Sequence, residues 1–147
     1  MAGFEYRSGP LDVQYFPETT GTANDWYAGD PVYTSSGRLL IGANSTSLLG
    51  VALAPATGTQ DNMIPVAMFD PQTNWAINVD SATTPAVASH VGTDYGLTIS
   101  TGSTVLNLAA ATAQGFRVIS LDRRDVAAAG SRVNVHITYA SIQHIAA

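Results

Sequence analysis

Three histidines, nine aspartates and two glutamates are the side chains of this 147-residue sequence that could hold a metal ion or move a proton. His90 falls in a loop-like stretch, and His136 and His144 stand near the end of the sequence. No HxH or HExxH spacing links them, and a zinc site needs three or four ligands at characteristic spacing. No metal site is therefore expected. A serine nucleophile needs a base and a strained elbow such as GxSxG. That motif is absent, and Thr101-Gly102-Ser103-Thr104 reads as a hairpin turn. His90 and Asp94 are the pair a small hydrolase would recruit, although any chain of this size offers such combinations. Both glutamates, Glu5 and Glu18, lie close to the start, which gives little support to paired-carboxylate glycoside chemistry. Asp30, Asp61 and Asp70 sit in turn contexts, where a carboxylate caps local backbone groups. There is no EF-hand loop, no GxGxxG and no P-loop, for the sequence has no lysine. It has no cysteine either, hence no disulfide, thiolate site or thiol nucleophile. The expectation is a protein without catalytic residues, cofactor or metal.

Charge narrows the partners. Only 12% of residues are charged, about half the usual share, and the net charge is −5. The six basic residues are all arginine and scattered, and Asp122-Arg123-Arg124-Asp125 cancels itself. Nucleic-acid binders gather positive charge on one face, so no nucleic-acid partner is expected. A surface poor in charge fits one covered by other protein copies, because interface cores are depleted in charge. No apolar run reaches the roughly 18 residues of a membrane span, and no secretion signal is apparent. The expectation is no membrane partner and synthesis in a cytoplasm. Asn44-Ser45-Thr46 fits a glycosylation sequon, more simply read as a polar turn.

The elements that would carry any site are short strands. Between residues 29 and 69, Val32-Tyr33, Leu39-Leu40-Ile41, residues 48–53 and residues 63–69 are apolar runs separated by Gly-, Ser- and Asn-rich turns. Close spacing predicts that neighbours pair, as a meander or small barrel. Pro65 cannot donate to a ladder, which predicts an edge or bulge for residues 63–69. Trp75, Ile77 and Val79 share one face of the next strand. Residues 80–89 read as loop, residues 97–99, 105–108 and 116–121 as strands, and residues 109–114 as an Ala-rich helical turn. The last strand has the clearest period of two: Val133, Val135, Ile137 and Tyr139 on one face, Asn134, His136 and Thr138 on the other. The fold class expected is all-β, a small antiparallel β-barrel or β-tulip domain over residues 23–147 with little helix.

Residues 1–22 differ from the rest. Gly9-Pro10 and Pro17 exclude a continuous helix. The segment reads either as a first edge strand folded onto the domain or as an extended N-terminal arm lying across a neighbouring subunit. On the second reading Phe4, Tyr6, Tyr15 and Phe16 are the contact residues, since aromatic side chains bring large area to such contacts.

Gly29-Asp30-Pro31-Val32, Leu49-Gly50-Val51-Ala52 and Ile64-Pro65-Val66 resemble the small β-barrel decoration (cement) proteins of tailed-bacteriophage heads. Residues 91–97, Phe116-Arg117-Val118-Ile119 and the final strand add to the likeness, which spans roughly residues 25–140 by pattern. The resemblance implies a protein on the outer surface of the virion capsid. Its partners would be the major capsid protein and copies of itself, often as a homotrimer, with an N-terminal arm reaching a neighbour. It carries over no catalytic residue. The alternatives are another virion component (a tail-tube, head-completion or fibre-base subunit), a carbohydrate-binding domain stacking sugars on Trp26, Tyr27 or Trp75, and a small hydrolase using His90 and Asp94. Core or interface packing is the expected role of both tryptophans.

Overall fold

The computed structural model describes residues 3–19, 25–42, 47–109, 115–122 and 128–143. Eleven strands and one short 3-10 turn run through them, so the fold is all-β as expected. The strands are β1 (Glu5–Ser8), β2 (Val13–Pro17), β3 (Pro31–Ser35), β4 (Arg38–Ile41), β5 (Gly50–Ala52) and β6 (Met63–Met68). They continue with β7 (Asn74–Asn78), β8 (Asp94–Thr98), β9 (Val105–Asn107), β10 (Phe116–Leu121) and β11 (Arg132–Ile137). Two antiparallel sheets result, ordered β1-β7-β11-β10-β8-β9 and β2-β6-β5-β3-β4. The sequon, the Ala-rich residues 110–114, Arg123-Arg124-Asp125 and His144 lie outside the described residues.

Period-two patterning builds the larger core. Val133, Val135 and Ile137 of β11 face inward with Trp75, Ile77 and Val79 around β7, against Phe116 and Val118 of β10. Leu48, Val51, Ala67 and Phe69 meet them from the five-stranded sheet. The opposite face of that sheet closes over a second cluster of Trp26, Val32, Leu39, Leu49, Ile64 and Val66. β5 and β6 are thus buried on both sides, which explains their near-continuous apolar sequence. A Cβ at Gly50 would stand 2.2 Å from the Ala67 carbonyl oxygen, so glycine is what lets these strands approach. One isolated bridge, Glu18–Leu39, joins the outer strands of the five-stranded sheet, and another, Val79–Leu106, brings the end of β7 to β9. Each contact is a single bridge, and closure into a barrel is not shown.

Three expectations change. The four strands between residues 29 and 69 do not form a simple meander, because β5 pairs with β3 rather than β4. β3 and β4 form a hairpin at Ser36-Gly37, both with positive φ, as two-residue turns of the I′ type demand. The chain then passes the C-terminal segment, where Leu48 N–H donates to the Ser141 carbonyl, before returning to the other side of β3. β6 is not an edge strand: it lies between β2 and β5. Pro65 is tolerated there because its missing donor faces β5 at Leu53, one residue beyond the end of that strand, where only Leu53 N–H to Pro65 O remains. Tyr139 leaves the face of β11 for the 3-10 turn Tyr139–Ser141 and is 69% exposed.

Residues 3–19 contribute a strand to each sheet. β1 pairs with β7 and β2 with β6. Phe4 is buried, edge-on to Phe69 and Trp75 and tilted against Phe116, with its N–H bonded to the Gly29 carbonyl. The part of the expected arm that is described lies on this domain, because its alternating aromatics complete the core.

Candidate interaction surface

The face of β2 and β6 that carries Ala67 into the larger core runs out into solvent beyond it, and it is built from rows of opposed residues. Register places Val13 opposite Ala67, Tyr15 opposite Pro65 and Pro17 opposite Met63. Opposed residues on an antiparallel pair share a face, and Leu53 continues the Tyr15–Pro65 row through its bond to the Pro65 carbonyl. Phe16 and Ile64 point the other way, into the smaller core. Val13, Tyr15, Leu53 and Met63 are left exposed, Tyr15 most of all at 62%. Beside them opens an apolar cleft of about 260 Å³. Its rim includes Tyr6, Leu11 and Leu53, and Val51, Ala67 and Trp75 are among its buried lining. Six exposed large apolar side chains therefore gather around this face and the cleft beside it. They present on the order of 500 Å² of apolar surface, toward the top of the range for the largest patch on a typical monomer.

The four residues expected as contacts divide. Tyr15 and Tyr6 reach this face, Tyr6 standing edge-on to Trp75 at the cleft. Phe4 is buried in the larger core, and Phe16, partly buried, packs against the smaller one. Alternation in a strand turns Phe16 toward that core where it sends Tyr15 outward. Leu11, Val13, Leu53 and Met63 went unread as contact residues. Val13-Gln14-Tyr15 carried a period-two signal for part of the patch, but Leu53 and Met63 join it only through strand pairing.

The residues considered for chemistry are engaged elsewhere. His90 Nδ1 accepts the Ala86 N–H at 2.9 Å, and Asp94 takes a bidentate bond from Arg117 at 2.7 and 3.3 Å. Both groups of the suggested hydrolase pair thus have structural partners. His136 stands opposite Arg117 across β10 and β11. Its pKa is pushed below the ordinary histidine value by partial burial, then by the Arg117 charge, with Asp94 opposing. No group of three or more potential metal ligands occurs among the described residues. Trp26 and Trp75 are each 1% exposed, so neither offers a sugar a stacking face; Trp26 Nε1 donates to the Ala54 carbonyl. Tyr27, by contrast, is exposed, its ring set over Gly102.

Two buried carboxylates are structural clamps. Asp30 accepts the N–H groups of Tyr27 and Gly102 at 2.9 and 2.8 Å and the Thr104 hydroxyl at 3.3 Å, tying two turns together. Glu18 accepts Thr57 N–H, the Thr57 hydroxyl and Thr59 N–H, holding the 57–62 loop against the end of β2. A recess of about 290 Å³ opens on the outer face of the six-stranded sheet, with Arg7, Asn74, Asp122 and Asn134 in its wall beside Ile119 and Leu121. There Arg7 bonds Asp122 at 2.6 Å and Glu5 at 2.8 Å, and Arg132 bonds Glu5 at 2.8 Å, so the charges neutralise one another.

Comparison with protein-family models, with curated proteins and with solved structures gives no match for this chain.

Proposed function

We propose that this chain is a structural virion protein that decorates a mature phage capsid and stabilises it by bridging capsomers on the outer shell surface. The observation that carries the reading is the uncharged, apolar face over β2 and β6 with its adjoining cleft. The largest apolar patch on a monomer is often functional, and this one supports a contact with another macromolecule. The low charge of the whole sequence and its resemblance to phage decoration proteins point to a protein partner, the major capsid protein, and to copies of itself. On this reading the chain performs no reaction. A subunit that binds only the expanded lattice stabilises it by its differential affinity for that state. Many such contacts, each modest, then oppose the outward pressure of packed DNA.

Copy number in purified particles, measured by quantitative mass spectrometry against the major capsid protein, tests this directly. A ratio of about one to one is expected for a lattice-wide contact of this kind. A few tens of copies would move the assignment to a tail or connector part. Absence from the particle would overturn the virion reading.

A further inference from the structure

We propose that the β2–β6 face and its cleft form a self-association surface, in which two copies pack face to face and Tyr15 of each inserts into the cleft of the other. This deepens the decoration reading by naming the occupant of the surface on which that reading rests.

The geometry favours a second copy. Tyr15 is a projecting side chain, 62% exposed, and the cleft is a hole on the same face. They are separated by the row Tyr15–Pro65–Leu53, two strand spacings or about 10 Å, with Leu53 on the rim of the cleft. A two-fold contact needs a patch complementary to itself, in which residue i meets j and j meets i. A projection and a recess side by side satisfy that condition when one copy is turned over onto the other.

Size and chemistry agree. At about 260 Å³ the cleft falls below the ~300–1,000 Å³ of ordinary small-ligand pockets, yet it suits a single aromatic side chain. Its lining is mainly apolar, with Val51, Ala67 and Trp75 among it, as a buried aromatic ring requires. The exposed patch is on the order of 500 Å², well over half of the ~800 Å² each side contributes to a standard interface. Glu5, the charged residue in the cleft lining, is already paired with Arg7 and Arg132, so two copies can meet without opposing like charges.

The test is the oligomeric state of the full chain by analytical ultracentrifugation across a concentration series. A reversible dimer is expected, little affected by salt. Tyr15→Asp and, separately, Leu53→Glu should each weaken it by about thirtyfold or more, the size of a hot-spot loss. Val87→Asp, at an exposed loop position away from this face, should leave it unchanged. Near-UV circular dichroism establishes that each variant remains folded, and the two variants act from opposite sides of the contact should one of them fail to fold. A wild-type chain that stays monomeric up to about 1 mM overturns the inference, as does a trimer, or a dimer indifferent to both substitutions. The measurement uses isolated protein, so its outcome is separate from particle copy number. A monomer present at one copy per capsid subunit sinks the pairing and leaves the decoration reading standing; a dimer absent from particles does the reverse.

Discussion

Individual polar residues in this protein do mostly structural work, and two of them make sharp predictions. His136 has a folded pKa below its ordinary 6.5, chiefly through burial. Between the folded value and 6.5 the unfolded chain therefore binds more protons than the folded one. The stability this group contributes is complete above that window and declines as pH falls through it. His136→Gln should lessen the drop in Tm between about pH 7 and pH 5, read by thermal melts against the parent protein. Asp30 is the second case. Asp30→Ala strands the Tyr27 and Gly102 N–H groups, and should cost about 2–4 kcal/mol in urea unfolding. Asp30→Asn, which keeps one acceptor, should cost less. That Asp30 would cap its local turn was readable from its place beside Gly29 and Pro31. Its reach to Gly102 and Thr104, more than seventy residues away, was not, because a carboxylate beside a turn looks the same whether or not a distant loop also needs its lone pairs.

At the scale of elements, the first two strands separate core from surface within a dozen residues. Phe4 fills space among Phe69, Trp75 and Phe116, so Phe4→Ala should destabilise the fold by about 3–5 kcal/mol. Tyr15→Ala should change monomer stability by no more than about 0.5 kcal/mol, since its side chain stands mostly in solvent. Denaturant melts of the two variants at low protein concentration check the contrast. If Phe4→Ala were neutral, β1 would be acting as a detachable arm. Element edges are also sealed by side chains. The Gln143 amide accepts Thr34 N–H at 2.8 Å and donates to Thr34 O at 2.9 Å, taking the place of a strand neighbour where β5 no longer reaches β3.

For the whole molecule, the decisive feature is the separation of its surfaces. The outer face of the six-stranded sheet carries paired charges around Arg7, Asp122, Glu5 and Arg132, with Arg117 and Asp94 paired nearby. The solvent-open part of the β2–β6 face that runs out from the larger core carries apolar side chains. Pairing of copies through the second face should depend weakly on ionic strength. The dimer dissociation constant should change by less than about twofold between roughly 0.05 and 0.5 M salt, measured by analytical ultracentrifugation. A steep loss of binding with salt would instead place the contact on the charged sheet.

The sequence by itself determined the all-β class, most strand positions and the inward faces of β7 and β11, because alternation over a few residues is a local property that burial then enforces. It also made a surface poor in charge unavoidable, since charged residues are only 12% of the chain. Which strands pair, and so which apolar residues remain outside, was decided only by the tertiary structure. Nothing in the spacing around Pro65 says that β6 lies between β2 and β5. Nothing local distinguishes Leu53 or Met63, which end exposed, from Leu49 or Ile64, which end buried. Register and neighbour choice depend on contacts far apart in the chain, and it is those contacts that bring Tyr15, Leu53 and Met63 together on one face.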